Sequence, residues 1–129
     1  AVLCVSEEKF NEHIIDFASK NQRPFLAITN REELANLRHL RKKFVFSRPE
    51  YVAGLQFDTV FLIYVDAEEA PQKASDGVRR RFVSNVYLGA SRAERLLKIA
   101  VSATRGGASD ILKMALERKS LLEVSNLDP

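Results

Sequence analysis

Cysteine and long apolar runs are the two features that this sequence most lacks. Cys4 is the single cysteine among 129 residues, so an internal disulfide is excluded and a reducing, cytoplasmic environment is expected. The longest uninterrupted apolar run extends only from Val60 to Val65, whereas a membrane-crossing helix needs about 20 apolar residues. The sequence therefore predicts a cytoplasmic domain that has no membrane partner and that buries Cys4 as an inert thiol.

The beginning of the chain lacks both an initiator methionine and the basic start of a signal peptide. Residues 1–5 are apolar, and acidic side chains follow them. The missing methionine is expected of a piece of a longer protein or of a processed product. Because a chain of 129 residues fits one domain with a sizeable core, residues 1–129 are expected to form a single domain.

Several common catalytic and cofactor-binding motifs are absent. The chain contains no G-x-x-x-x-G-K-[ST] phosphate loop, no G-x-G-x-x-G turn and no G-x-S-x-G nucleophile elbow. His13 and His39 are far apart in the sequence, so a zinc site would have to be built from carboxylates. The run from Val60 to Asp66 resembles a strand that ends in a magnesium-binding acid, but that interpretation requires a phosphate loop upstream. A buried strand that leads into an acidic loop is the favoured interpretation.

Basic and acidic side chains are nearly balanced, with 20 of the first, 17 of the second and a net charge of +3. This balance is weak evidence for a polyanionic partner. The basic residues form two clusters, one from Arg38 to Lys43 and one from Arg79 to Arg81. Clusters of this kind are usually a solvated helix face.

Apolar periodicity predicts strands and amphipathic helices that alternate along the chain. Such strands, almost continuously apolar and separated by helices, are typical of a parallel sheet with helices on both faces. The expected fold class is therefore α/β. The predicted strands are 1–5, 25–28, 44–46, 58–65 and 96–103; the predicted helices begin at caps or first turns at Ser6, Thr29, Asp76 and Ser109; 66–77 is a predicted loop, and 121–124 is a short strand or a tail.

Two segments of the chain carry motifs that belong together. The first, Tyr51 to Leu62, is Y-V-A-G-L-Q-F-D-T-V-F-L, and the second, Asn85 to Leu97, is N-V-Y-L-G-A-S-R-A-E-R-L-L. The first resembles motif V of superfamily 1 DNA helicases of the UvrD/Rep type, K-G-L-E-F-D-x-V. The second resembles motif VI of the same family, Y-V-A-x-[TS]-R-A. The resemblance covers about residues 50–103, and the two motifs have the order and spacing of the family. It implies the second RecA-like lobe of such a helicase, which is a three-layer fold with a parallel sheet and no phosphate loop.

In helicases of this family, ATP binds between two RecA-like lobes. The first lobe supplies the phosphate loop and the acid that holds Mg²⁺, and the second supplies an arginine that reaches the γ-phosphate. The resemblance assigns this role to Arg92, because a guanidinium is always charged and forms forked hydrogen bonds with phosphate oxygens. It also assigns nucleotide contacts to Gly54, where the backbone comes close to the ligand, and to Gln56, at the position that contacts the sugar.

The resemblance therefore implies a set of partners for this chain. The expected cofactor is ATP with Mg²⁺, and the metal is held by the first RecA-like lobe of the same protein. The isolated chain is not expected to hydrolyse ATP. Single-stranded DNA is the expected nucleic acid, bound by backbone electrostatics and base stacking, and its candidate contacts are Arg48, Tyr51 and Arg79–Arg81.

The sequence departs from the family pattern at several positions. Ala53 stands where motif V has a lysine, and Gln56 replaces its glutamate, which removes a charge from the sugar contact. Glu50 lies near a family position that touches DNA, where a carboxylate is unfavourable unless Arg48 compensates for it. The segment 5–8, Val-Ser-Glu-Glu, lacks the arginine of motif IV.

Three functions remain open at this stage. The first is the motor lobe of an ATP-dependent DNA helicase, which the intact Ser91-Arg92-Ala93 favours. The second is a helicase-like domain retained as a non-catalytic scaffold or protein-interaction module, which the losses at Ala53 and Gln56 favour. The third is a small α/β enzyme or nucleotide-binding receiver domain, because Asp66 follows a strand where such folds bind ligands.

Overall fold

The computed structural model describes residues 1–20, 25–32, 44–67 and 76–117. Strands and helices alternate within these ranges. The strands are Val2–Cys4 (β1), Phe25–Ala27 (β2), Phe44–Ser47 (β3), Phe57–Ile63 (β4) and Ala93–Ile99 (β5). The α-helices are Glu7–Ser19 (α1), Asp76–Ala90 (α2) and Asp110–Glu117 (α3), and short 3₁₀ helices are formed by Pro49–Val52 and Ala103–Arg105.

The strands form one parallel sheet of five strands in the order β2-β3-β1-β4-β5. β1 lies in the centre, where Val2 pairs with Phe46 of β3 on one side and with Phe61 of β4 on the other. From β1 the chain crosses towards β2, whereas from β4 it crosses in the opposite direction to β5. Because crossover connections are right-handed, these two directions place α1 and α2 on opposite faces, and the α/β fold predicted from the apolar pattern is confirmed.

Successive side chains of each strand point to opposite faces of the sheet and so enter two separate cores. α2, α3 and the Pro49–Val52 helix cover one face, and α1 covers the other. Burial on both faces explains why the strand sequences are almost continuously apolar. The core under α2 contains Leu3, Val5, Ile28, Val45, Val52, Val60, Leu62, Val65, Val86 and Leu112, and the core under α1 contains Cys4, Phe10 and Phe46.

The end of β1 and the start of α1 confirm two predictions made from the sequence, the burial of Cys4 and the cap at Ser6. Ser6 is the N-cap, and its hydroxyl oxygen accepts a hydrogen bond from the backbone N–H of Lys9 at 3.3 Å. Cys4 is fully buried, as expected of an inert thiol. The cap predicted for α3 differs, because the carbonyl oxygen of Ser109 accepts from Lys113 while its buried hydroxyl has no hydrogen-bond partner in the described part of the chain.

The bounds of β4 and β5 differ most from the prediction, and β5 ends at Ile99 rather than at Ala103. β5 begins at Ala93 rather than Leu96, because its side chains alternate between the core and solvent and an apolar run does not mark its first residues. β4 ends at Ile63, where Tyr64 takes a left-handed backbone conformation with φ of 61°. The Pro49–Val52 helix was not predicted; it connects β3 to β4 by passing over β1.

Some predicted elements fall on residues that are not described. The helix expected from Thr29 lies outside the described residues beyond position 32, together with the whole of the first basic cluster. Most of the predicted loop 66–77 and the predicted strand or tail 121–124 also lie outside them. Among the described residues, no helix is long and apolar enough to span a membrane.

Candidate functional site

Two loops that are distant in sequence meet at the amino edge of the sheet, which is the edge where the parallel strands begin. The loop 53–56 leads into β4, and the turn 91–92 leads into β5. Because β4 and β5 are neighbours, these loops are adjacent, and the backbone N–H of Phe57 donates to the carbonyl oxygen of Arg92 at 2.8 Å. The residues predicted to contact the nucleotide, which we call the amino-edge site, are Gly54, Gln56 and Arg92.

The guanidinium of Arg92 lies across the loop 53–56. Its Nη1 donates to the carbonyl oxygens of Ala53 and, at 3.3 Å, Leu55, and its Nη2 donates to the hydroxyl of Ser91 at 3.3 Å. Its Nε is buried and has no acceptor among the described residues. Arg92 therefore joins the two loops, and it does so at a half-buried position beside Gly54 and Gln56 rather than deep in either core.

The side chain of Gln56 reinforces the same junction. Oriented with its amide nitrogen towards the turn, it donates to the carbonyl oxygens of Ser91 and Arg92, both at 3.2 Å. The residue is exposed, so its amide oxygen is accessible to a hydroxyl donor. A neutral amide is thus used to hold the turn at the position where the helicase pattern has a carboxylate.

Gly54 has no structural requirement for glycine in the described residues. An added Cβ would meet nothing within 4 Å, and the backbone is not left-handed. Gly89, in the second motif segment, is different: a Cβ there would lie 2.6 Å from Cδ1 of Leu62 and 3.1 Å from Cγ of Pro49. Close packing of α2 against β4 explains Gly89, whereas Gly54 presents bare backbone to solvent.

No family model, curated protein or solved structure matches this chain. The assignment of the amino-edge site therefore depends on the motif residues and on their geometry. What the structure establishes by itself is a small α/β domain with a parallel sheet, in which these motif residues are neighbours.

Arg48 and Tyr51, the residues predicted to contact DNA, lie away from the amino-edge site. Arg48 directly follows β3 and reaches Glu7, which lies just beyond β1, so it belongs to the opposite, carboxyl edge. Only 6% of Arg48 is exposed. Its guanidinium lies over the ring of Tyr51, with 5.6 Å between Cζ and the ring centroid, and that ring packs edge-on against Phe10.

Glu50 neutralises the charge of Arg48. One of its carboxylate oxygens lies 2.5 Å from Nη2 of Arg48 and also accepts from the side-chain amide of Asn85 at 3.1 Å. The second carboxylate near Arg48, that of Glu7, is more distant at 3.6 Å and is 69% exposed. Arg48 and Glu50 are therefore paired with each other, and the bond from Asn85 makes the pair an internal contact between the Pro49–Val52 helix and α2.

The second basic cluster is fully accessible. Arg79, Arg80 and Arg81 are all exposed on the outer side of α2, as expected of a solvated helix face. Arg79 and Arg80 line an open groove together with Val83 and Ser84. These arginines remain candidates for contacts with a polyanion.

The polar residues at the carboxyl edge were not predicted to form a group. Asp66, singled out for its position after a strand, is 3% exposed and accepts from Nε of Arg105 at 3.2 Å. Tyr64 lies beside it, with its hydroxyl 2.7 Å from Nε2 of His13. No local pattern could have joined these residues, because they come from separate parts of the chain. The described residues contain no group of three or more His, Cys, Asp and Glu side chains that could hold a metal ion.

Proposed function

We propose that this chain is the second motor lobe of an ATP-dependent DNA helicase or translocase. In this proposal it supplies an arginine to an ATP site that the first RecA-like lobe of the same protein completes. The observation that carries the proposal is the convergence of Gly54, Gln56 and Arg92 at one edge of a parallel sheet, as the resemblance of the two motifs requires.

Arg92 would act by exchanging its acceptors. At present its guanidinium donates to the carbonyl oxygens of Ala53 and Leu55, which are neutral. Phosphate oxygens are charged, and hydrogen bonds to charged groups are about twice as strong as neutral ones. When the two lobes close, the γ-phosphate would therefore compete effectively for this guanidinium, and release of the loop 53–56 would accompany binding.

Gly54 and Gln56 would position the nucleotide. The exposed backbone at Gly54 allows close approach, because no Cβ stands between it and a ligand. The amide oxygen of Gln56 would accept a hydrogen bond from a sugar hydroxyl, more weakly than a carboxylate does. Magnesium supplies charge neutralisation during phosphoryl transfer, and the first lobe would hold it, since the described residues offer no cluster of metal ligands.

The proposed contacts with single-stranded DNA divide into two groups. Arg48 is buried and paired with Glu50, so its charge would attract DNA only weakly. Its role would be to orient Tyr51 and the Pro49–Val52 helix. Arg79–Arg81 are exposed and would contribute the electrostatic attraction to phosphates. We therefore expect binding to weaken steeply with salt when it depends on the α2 arginines.

The substitution Arg92→Ala tests the proposal in the longer protein that it requires, which joins this chain to a lobe with a phosphate loop. We expect kcat for DNA-stimulated ATP hydrolysis to fall by a factor of about 10³, the effect of losing an arginine finger. The matched control is Arg95→Ala, which removes the same charge from an exposed pair with Asp58. That control should change kcat by less than about twofold.

The nucleotide contact proposed for Gly54 is tested independently of Arg92, by the thermal unfolding midpoint and by ATP affinity. Gly54→Ala fits without a clash, so it should leave the thermal unfolding midpoint unchanged or slightly raised while lowering ATP affinity. Gly77→Ala, which is equally free of clashes, serves as its control. Near-normal hydrolysis by a folded Arg92→Ala protein would contradict the motor assignment.

A non-catalytic scaffold is the second candidate, and one observation favours it. Arg92 already has acceptors within its own domain, which suffices to explain its presence as a link between the loops. The reading frame discriminates between the two candidates. A G-x-x-x-x-G-K-[ST] motif upstream of this chain supports the motor, and a complete frame without one supports the scaffold.

A further inference from the structure

β1 and β4 are neighbouring strands whose connections diverge. From β1 the chain passes through α1 towards β2, and from β4 it passes through α2 towards β5, at the other end of the strand order. α1 and α2 also lie on opposite faces of the sheet. Open α/β sheets bind their ligands in the crevice that such divergence leaves at the carboxyl ends of the strands. In this chain the crevice lies beyond Cys4 and Ile63, which are paired in the register of β1 and β4.

Polar side chains from three parts of the chain meet in this crevice. The hydroxyl of Tyr64, directly after β4, lies 2.7 Å from Nε2 of His13 on α1. The guanidinium of Arg105, from the segment after β5, lies over the Tyr64 ring with 5.1 Å between Cζ and the ring centroid. Lys9 lies one turn before His13, so both side chains lie on the same face of α1. We call Lys9, His13, Tyr64 and Arg105 the carboxyl-edge cluster.

The backbone of Tyr64 is strained. Its φ of 61° makes it the single non-glycine residue with positive φ in the described part of the chain. This conformation costs an L-amino acid roughly 1–2 kcal/mol, and a bulky side chain adopts it only where the surroundings enforce it. Strain of this kind is concentrated at ligand-binding and catalytic positions. Here it directs the Tyr64 ring towards His13 and Arg105.

Neighbouring carboxylates orient the cationic members of the cluster and leave them partly exposed. The buried carboxylate of Asp66 accepts from Nε of Arg105 at 3.2 Å and so fixes the plane of the guanidinium. Lys9 pairs with Glu12 at 3.4 Å, where Glu12 is 57% exposed, and such a surface pair is weak enough for a ligand to displace. Lys9, His13, Tyr64 and Arg105 are all partly exposed.

The hydroxyl of Tyr64 is suited to donate a hydrogen bond to an anion. Burial raises the pKa of Tyr64 above its ordinary value, and the opposing charges of Arg105 and Lys9 do not reverse the change. The phenol therefore remains protonated at neutral pH. With the proton of His13 on Nε2, the imidazole donates to the phenolic oxygen and leaves the O–H of Tyr64 directed at a ligand.

The geometry points to a second ligand site, in which the carboxyl-edge cluster binds a phosphate monoester. The three terminal oxygens of a monoester match three donor groups, the ammonium of Lys9, the hydroxyl of Tyr64 and the guanidinium of Arg105. A phosphodiester has only two such oxygens and a single negative charge. The site lies at the opposite edge of the sheet from Arg92, so it is independent of the motor proposal.

The test is a titration of the chain with inorganic phosphate, followed by the thermal unfolding midpoint and by backbone amide shifts. Phosphate should raise the midpoint, because a ligand that binds only the folded state stabilises it, and the shifts should centre on Lys9, His13 and Tyr64. AMP should act similarly. Dimethyl phosphate, a diester, and potassium chloride at equal ionic strength should not.

Two variants with matched controls locate the site. Tyr64→Phe removes only the hydroxyl and should weaken phosphate binding about 3- to 10-fold, whereas Tyr87→Phe, at an exposed tyrosine of α2, should leave it unchanged. Lys9→Gln should weaken binding about tenfold. Lys20→Gln removes the charge of the other lysine that pairs with a carboxylate at the surface of α1 and should have no effect.

The outcomes decide the proposal in either direction. Loss of binding in Tyr64→Phe and Lys9→Gln, with both variants folded, supports the site. Equal stabilisation by phosphate, dimethyl phosphate and chloride would show a general salt effect and overturn it. Equal phosphate affinity in Lys9→Gln and Lys20→Gln, or no binding by the unaltered chain, would overturn it as well.

Discussion

At the residue scale, Tyr64 contributes most to the carboxyl edge and is also the residue that the backbone accommodates least easily. Its left-handed conformation ends β4 and turns the following residues inwards, so that Val65 and Asp66 are buried. An ordinary residue would avoid this conformation, and glycine would adopt it freely. The hydrogen bond to His13 and the contact with Arg105 are the interactions that offset the cost.

Because Tyr64 is strained, glycine should be a more stable replacement than alanine at this position, which is the reverse of the usual order. Tyr64→Ala removes the ring but keeps the left-handed cost, whereas Tyr64→Gly removes both. We therefore expect the glycine variant to be more stable than the alanine variant by about 1 kcal/mol, measured by urea denaturation of each. At Val78, exposed in α2, alanine should be the more stable replacement. The same order at both positions would mean that Tyr64 carries no strain.

At the scale of single elements, the Pro49–Val52 helix is held in place by charge. Glu50 joins it to Arg48 at the end of β3 and to Asn85 in the middle of α2. Because 94% of Arg48 is shielded from solvent, loss of its main carboxylate partner would leave a buried cation without adequate compensation. This short helix is therefore held by one ion pair as well as by the burial of Pro49 and Val52.

Glu50→Gln tests this dependence. The amide keeps the shape of the side chain but loses its charge, and we expect the free energy of unfolding to fall by about 1–2 kcal/mol. Glu7→Gln is the comparison, since Glu7 is 69% exposed and lies 3.6 Å from the same guanidinium; it should cost less than about 0.5 kcal/mol. Chemical denaturation of both variants provides the measurement. Equal effects would show that Glu50 has no special role.

The elements show how far the sequence could determine the fold. β1 and the second half of β4 were predictable from continuous apolar runs, although Phe61 of β4 is 42% exposed, and the cap at Ser6 was predictable from local chemistry. β5 was predicted to begin three residues too late, because one of its faces is open to solvent and its pattern alternates there. The Pro49–Val52 helix packs against α2 where Pro49 meets Gly89, a contact that no local pattern indicates.

The sites show a similar division. The two motifs predicted that Gly54, Gln56 and Arg92 lie together at the amino edge. The structure brings them together although Arg92 is 36 residues after Gln56 in the sequence. The burial of Arg48 was not predictable, because its partner Glu50 is held in turn by Asn85 of α2, which is distant in sequence. The carboxyl-edge cluster was not predictable either, because only the order of the strands brings α1 and the end of β4 together.

At the scale of the whole molecule, the two edges of the sheet have different chemistry. The amino edge presents bare backbone at Gly54 and a guanidinium held by neutral carbonyl groups. The carboxyl edge presents cations that are held by carboxylates, in the pairs Arg48–Glu50 and Arg105–Asp66. A ligand at the first edge would compete with uncharged acceptors, whereas a ligand at the second would compete with charged ones.

The absence of a phosphate loop gives an expectation for the whole chain. Residues 1–129 alone should not hydrolyse ATP, because they supply neither the phosphate loop nor the acid that holds magnesium in the proposed motor. The measurement is phosphate release from ATP with Mg²⁺, with and without single-stranded DNA. Addition of the first lobe in the same polypeptide should restore turnover. Turnover by the chain alone would instead favour a complete enzyme within these residues.

The position of β5 as an outer strand of the described sheet has a consequence for how copies of this domain meet one another. An outer strand exposes unpaired amide and carbonyl groups that can add to a strand of another molecule. β5 carries Glu94, Arg95 and Lys98 on exposed positions, and charged side chains on such a strand discourage that addition. The charged side chains that interrupt the apolar pattern of this strand therefore also disfavour its pairing with a strand of another copy.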